Sequence, residues 1–195
     1  MTTPPKDAST EREGTVLDTT APIESPEKEP ELKLGDGGAP PPHPPRTGGG
    51  DNLPPALISD IDHTIAFPTR EEFMDFSKCD SDVPNQIAIG VIKAWYAQAE
   101  KPTIYFVTNR AAGWRDDTVR WLIRFFPPGS YKWVLRMRPS NDFVAPPWMI
   151  KEGFLVNEIT KKFSVEQVWE DDDECIAMYL KHGLTVQDAK NTWSP

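Results

Sequence analysis

No phenylalanine, tyrosine or tryptophan occurs in the first 52 of the 195 residues, whereas all 20 aromatics of the chain come after Asn52. The same stretch holds 17 of the 33 prolines and glycines. So little apolar surface does not offset the entropy of ordering a chain, so residues 1–52 are expected to form a disordered arm and 53–195 one domain. Long apolar runs are missing too: the longest are about six residues, against the ~20 that a spanning helix needs, and this excludes a membrane protein of that kind. The opening Met-Thr-Thr-Pro-Pro has neither the basic end nor the apolar run of a secretion signal. Cysteine is scarce. Cys79 and Cys175 cannot staple a scaffold, and no CxxC or Cys/His cluster points to zinc. A reducing cytoplasm is the expected location.

The net charge of −9 hides a segregation. Residues 1–52, 53–100 and 163–195 each carry −5, whereas 101–162 carries +6. Such a basic block is either a solvated helix face or the seat of a phosphate-bearing ligand. The arm, with Pro40-Pro41-Pro42 and Gly48-Gly49-Gly50, reads as a linker or as a segment that recruits a protein partner.

From Leu53 onward the periodicity alternates. Ala56–Ile61 is a short apolar run typical of a buried parallel strand. Asp82, Val83 and Pro84 read as an N-cap and first turn of a helix that carries Ile87, Val91, Ala94 and Trp95 on one face. Thr103–Val107 is a second strand, and Asp116–Phe126 an amphipathic helix through Val119, Leu122, Ile123 and Phe126. Trp133–Leu135 is a third strand, Met149–Glu158 a helix and Val165–Trp169 a fourth strand. Glu174–His182 is a helix closed by Gly183, and Thr185-Val186 suits a fifth strand. This order predicts an α/β fold with a doubly wound parallel sheet.

Polar residues follow the strands, where such a sheet binds ligands. They are Asp60-Ile61-Asp62-His63-Thr64, Thr108-Asn109-Arg110 and Glu170-Asp171-Asp172-Asp173. Two carboxylates at i and i+2 leaving a strand point the same way. Close like charges need a cation or a shared proton to coexist. Oxygen ligands at two strand ends suit Mg²⁺. The bland reading of Asp-x-Asp is a capped turn, and the acidic cluster at the other strand end weighs against it.

At these residues the chain resembles the haloacid dehalogenase (HAD) superfamily. ALISDIDHTIAF resembles its strand followed by DxDxT, TIYFVTNR its strand ending in Thr or Ser, Lys151 its lone helix lysine, and WEDDDE its acidic pair. Within the superfamily the chain is most similar to the 3′-phosphatase domain of phage-type polynucleotide kinase/phosphatases, over about 56–190. The motifs that carry this are Thr108-Asn109-Arg110, Trp121-Leu122, Met137-Arg138-Pro139-Ser140-Asn141-Asp142, Lys151 and Gly183-Leu184-Thr185. The resemblance implies a small cap or none, and a host cytoplasm if the chain is phage-encoded. It implies Asp60 as a nucleophile forming an aspartyl-phosphate, Asp62 as acid and base, and Thr108 and Lys151 against the phosphoryl group. Thr64, Arg110 and Arg138 are implied as substrate-binding groups. Mg²⁺ would be held by Asp60, by the main-chain carbonyl of Asp62, and by Asp171 with Asp172 assisting. Both Glu170-Asp171 and Asp171-Asp172 fit the acidic pair.

Three departures stand out. Pro147 replaces an Asp four residues before the lysine, Asp173 an Arg after the acidic pair, and His63 the usual glycine of DxDxT. No GxxxxGK[ST] occurs, so a kinase half is not expected in this chain. Lys161 and Lys162 rival Lys151, but they precede the fourth strand and suit the surface. Arg136 and Arg138 alternate along a strand, so one is expected to face solvent. Trp114, Trp121, Trp133 and Trp148 suit base stacking or, better, core packing.

The expected activity is Mg²⁺-dependent removal of 3′-phosphate from nucleic-acid ends. The alternatives are a mononucleotide or general HAD acid phosphatase and, from another class, a non-catalytic binding protein that uses the arm. Deleting residues 1–50 is expected to leave the melting temperature and turnover of a small phosphate ester nearly unchanged. A large fall in either would show that the arm belongs to the folded unit.

Overall fold

Five short segments rich in β-branched and aromatic residues pair side by side in a single parallel sheet. The computed structural model describes residues 53–69, 76, 78–98, 101–140, 142 and 144–193. The arm expected over 1–52 lies outside the described residues. The strands are β1 (Pro55–Ser59), β4 (Thr103–Ala111), β5 (Trp133–Arg138), β6 (Ser164–Glu170) and β7 (Val186–Asp188). Their order across the sheet is β5-β4-β1-β6-β7, every pairing parallel. The chain builds one side of the sheet, β1 to β4 to β5, and then returns to β1 to add β6 and β7. A crevice at the carboxyl end of β1 is the consequence.

Alternation along the strands divides the core into two layers. Leu57, Ile104, Phe106 and Leu135 face α1 (Gln86–Tyr96) and α2 (Arg115–Phe125). Ala56, Ile58, Tyr105, Val107 and Val168 face the other layer. That layer is made of α3 (Pro147–Phe154), a π turn at Leu155–Ile159, a last turn α4 (Thr160–Lys162), and α5 (Asp173–Lys181). A terminal helix, α6 (Ala189–Trp193), follows β7. Side chains with period 2 covered on both faces are what a doubly wound parallel sheet requires, and the α/β expectation holds. Among the described residues, the connection from β1 to α1 holds a two-stranded antiparallel ribbon, β2 (Ala66–Phe67) with β3 (Val83–Pro84), and a 3-10 turn at Cys79–Ser81. No helix there is long and apolar enough to cross a membrane.

Four local expectations are corrected. Asp82 does not cap α1. Val83 and Pro84 belong to the ribbon, and Asn85 caps the helix through its side-chain oxygen, which accepts from the Ala88 N–H. The buried stripe is Ala88, Ile89, Ile92 and Trp95, and Ile87 is exposed. On α2 the buried positions are Thr118, Trp121 and Leu122, and Ile123 faces out. Strand β4 also runs on through Thr108, Asn109 and Arg110, with a register shift against β5, so these residues stand in the strand rather than after it. Gly183 closes α5 with φ +74°, the left-handed conformation that glycine adopts most cheaply.

Candidate active site

Asp60 continues the β1 ladder by one residue, its N–H donating to the Trp169 carbonyl of β6 at 2.9 Å. The carboxylate therefore leaves the sheet beside the end of β6, where Glu170 and Asp171 leave theirs. Oxygen atoms of Asp60, Glu170 and Asp171 lie within 4.8 Å of one another. Lys151 reaches this group from α3, and its ammonium donates to Asp60 Oδ1 and to Glu170 Oε2, both at 2.7 Å. All three partners are almost fully buried. Burial opposes the charge on Lys151, but Asp60 and Glu170 outweigh it and raise its pKa well above the ordinary value.

The carboxylates show the reverse balance. Burial raises the Asp60 pKa; Lys151 opposes this, while Glu170 and Asp62 add to it. Burial and the neighbouring Asp60 charge push Asp171 up to about 7. One ammonium does not neutralise three carboxylates. Glu170 Oε1 accepts from the Asp171 and Asp172 N–H groups, so both its oxygens have partners. Oδ2 of Asp60 and Oδ2 of Asp171 have no hydrogen-bond donor among the described residues, and Thr64 Oγ1 donates to Asp171 Oδ1 at 3.4 Å. Such paired oxygen donors fit a small hard cation.

Asp172 is placed differently. Its Oδ1 accepts from the Cys175 N–H at 2.9 Å and caps α5. Burial works to raise its pKa, but the Cys175 bonds outweigh it and the net shift is downward. Asp172 lines the same cavity, while Glu170 takes the position beside Asp60. Of the acidic run, Glu170 and Asp171 thus stand with Asp60.

Asp62 stands on a separate support. The Arg110 guanidinium grips it in a fork, Nε to Oδ2 and Nη2 to Oδ1, each at 2.9 Å. Nη2 also donates to Asp82 Oδ2 at 2.7 Å. Arg110 is wholly buried, so this arginine, expected against substrate, instead stands behind Asp62. Asp82 was not singled out in the sequence as anything but a cap. Its partner is 28 positions away, and Trp121 Nε1 fixes its carbonyl at 2.8 Å. Arg138 is likewise turned inward. It donates to Asn109 Oδ1 and to the carbonyls of Asp142 and Ala145, and so pins the loop that leads to α3 and Lys151. A guanidinium that loses water needs protein acceptors, and both arginines find them. Arg136, its alternating neighbour, pairs with Glu158 at the partly exposed edge. Arg115, Arg120 and Arg124 remain on the outer face of α2.

Thr108 is buried, and its Oγ1 accepts from the Arg110 N–H at 3.2 Å, which leaves the hydroxyl proton available. The cavity at this strand end, about 220 Å³, is lined by Asp60, Asp62, His63, Asn109, Lys151 and Asp171 among others. Cys175 lies in the layer beneath, its thiol pushed up by burial and so poorly suited to be a nucleophile.

Removing Lys151 tests this balance. Lys151→Ala leaves Asp60 and Glu170 buried without their cation and is expected to cost about 3–5 kcal/mol of stability. The loss should be largest at about pH 8 and smaller near pH 5, where the carboxylates take up protons instead. Urea denaturation at both pH values measures it, and a loss independent of pH would contradict the role given to the ammonium.

Residues 54–192 match the family model described as the polynucleotide kinase PNKP phosphatase domain. The chain is 30% identical over 127 residues to a bifunctional polynucleotide kinase/RNA ligase of Autographa californica nuclear polyhedrosis virus, a match that covers 65% of this chain and 18% of that protein. Among solved structures, it superposes on a chain of the Pnkp1/Rnl/Hen1 complex with a TM-score of 0.64 and 24% identity, covering 74% of this chain and 48% of that one. A structure of the Pnkp1/Rnl/Hen1 RNA repair complex gives 0.65 and 24%, covering 73% and 44%. The chain thus spans under a fifth of the viral relative and about half of the structural neighbours. By the family match, the chain belongs to the polynucleotide kinase PNKP phosphatase domains and is a HAD-type phosphatase.

Proposed function

We propose that the protein is a Mg²⁺-dependent phosphomonoesterase that removes 3′-phosphate from nucleic-acid ends through an aspartyl-phosphate. The observation that carries this reading is that two carboxylates lining one cavity rest on different cations, Asp60 on Lys151 and Asp62 on Arg110. Carboxyl groups in unlike environments can take unlike roles. Lys151 occupies Oδ1 of Asp60, which leaves Oδ2 to attack phosphorus. As the Oδ2–P bond forms and the P–O3′ bond breaks, Asp62 gives its proton to the departing sugar oxygen. Asp62 then takes a proton from water, whose oxygen displaces Asp60 from phosphorus and releases inorganic phosphate. Arg110 acts on this chemistry by orienting Asp62, and Thr108 donates its hydroxyl to a phosphoryl oxygen.

Asp60 and Asp171 would hold the Mg²⁺, with the main-chain carbonyl of Asp62. When bound, the ion offsets the charge that keeps a carboxylate away from a phosphate. Nucleic-acid ends as substrate are supported by the family match and by the naming of the viral relative as a kinase/RNA ligase. Among the described residues, the connection from β1 to α1 is a short ribbon and one 3-10 turn, a small cover that suits a bulky end.

A panel of 3′- and 5′-phosphorylated RNA and DNA oligonucleotides beside 3′-mononucleotides, with and without Mg²⁺, tests the assignment. Asp60→Asn should abolish turnover with the fold preserved. Asp62→Asn should slow poor leaving groups far more than those that need no proton. Preference for mononucleotides would favour the general phosphatase, and an active Asp60→Asn variant would remove the covalent step.

Metal binding has a readout of its own. The folded protein holds the Asp60 and Asp171 protons more tightly than the unfolded chain does. This contribution to stability is complete below pH ~4 and is lost as the pH rises through about 7, the Asp171 value. Mg²⁺ competes with those protons, so the rise in melting temperature it produces should be larger at about pH 8 than at about pH 5.5. Equal shifts at both would place the ion elsewhere.

A further inference from the structure

The turn between Asp62 and Ala66 carries a backbone conformation that its sequence does not favour. His63 has φ +58°, the one positive φ of a non-glycine residue among the described residues. A residue with a Cβ adopts this region at a cost that glycine does not incur. The turn itself needs the conformation, because the His63 N–H donates to the Ala66 carbonyl at 2.7 Å. The side chain is exposed and has no hydrogen-bond or ion-pair partner among the described residues. It lines the same cavity as Asp60 and Asp62.

The other polar groups around the cavity are spent on the protein. Lys151 is held between two carboxylates, Arg110 between Asp62 and Asp82, and Arg138 among Asn109 and two carbonyls. Among the described lining residues, the donors left for a ligand larger than a phosphoryl group are the His63 ring and the Asn109 amide. His63 follows directly on Asp62, the group that faces the departing oxygen. Strain of this kind persists where a side chain is put to use at a site.

We propose that His63 is a substrate-contacting residue for the leaving group: its imidazole meets the terminal nucleoside that bears the 3′-phosphate, not the phosphoryl group. The inference rests on the phosphatase reading above and adds which residue senses the nucleoside. Full-length wild type, His63→Gly and His63→Asn should be compared on a 3′-phosphorylated oligonucleotide and on p-nitrophenyl phosphate, whose leaving group has neither sugar nor base. His63→Gly is expected to lower the ratio of kcat/KM for the oligonucleotide to that for the nitrophenyl ester about tenfold, the size of one hydrogen bond or one stacked base, and chiefly through KM. Its melting temperature should hold or rise, because glycine relieves the backbone. His63→Asn keeps a donor and tolerates the left-handed region, so its ratio should fall between the two. A ratio that does not move, or an equal loss on both esters, overturns the contact and leaves the phosphatase reading standing. A wild-type protein inert toward both esters overturns the phosphatase reading and the contact with it.

Discussion

Burying three carboxylates at the ends of two neighbouring strands is the constraint to which the rest of the cleft answers. Alone they would repel each other and shed their charge by taking up protons. Lys151, buried between Asp60 and Glu170, makes the arrangement tolerable, and much of the surrounding structure serves to deliver that ammonium. Arg138 ties the preceding loop to Asn109, and α3 starts at Pro147, a residue whose fixed φ suits the first helical turn. The helix then carries the lysine over the end of β1. Burial first, and the Asp60 charge after it, raise Asp171, and oxygens of Asp60, Glu170 and Asp171 stand within 4.8 Å of one another at this end of the sheet.

A second buried cation separates Asp62 from that cluster. Arg110 comes from within β4, the strand next to β1, and its fork is shared between Asp62 and Asp82. Neighbours two positions apart along the chain thereby experience different fields. Asp82 lies just before the ribbon strand β3, whose partner β2 follows the Asp-x-Asp turn, so the ribbon brings the second acceptor to Arg110. The sheet supplies proximity, and the cations supply the distinction between the two acids.

Much of this was legible in the sequence because it is local. The apolar run into Asp60 and Asp62, the strand into Thr108, and the acidic run after Trp169 each announce a strand that ends in polar groups. Lys151 was found through its place in a family pattern; spacing alone left Lys161 and Lys162 as rivals. What stayed hidden depends on partners distant in sequence. Asp82 reads as a cap because the motif Asp-Val-Pro is a reasonable helix start, and nothing near it announces Arg110. Arg110 and Arg138 read as phosphate clamps because a bare guanidinium suggests an exposed one. Only the packing of β4 and β5 shows that both are enclosed. The stripe on α1 differs for a simpler reason: the buried face lies about one residue, or ~100°, around the helix, and the apolar run Ile87–Val91 offers either face.

The span between Asp60 and Lys151 has a further consequence, one of timing. The pair is separated by 91 positions, and Lys151 is another 19 from Glu170. Contacts so far apart close only after β1, β4 and β6 have come together, and non-local pairing of this kind slows folding. Local elements that form early in the reaction therefore hold either a carboxylate, at a strand end, or the lysine, on α3, but never the pair. A divalent ion that bound there would find its partners assembled only in the last stage, and would slow unfolding while leaving the rate of folding largely untouched.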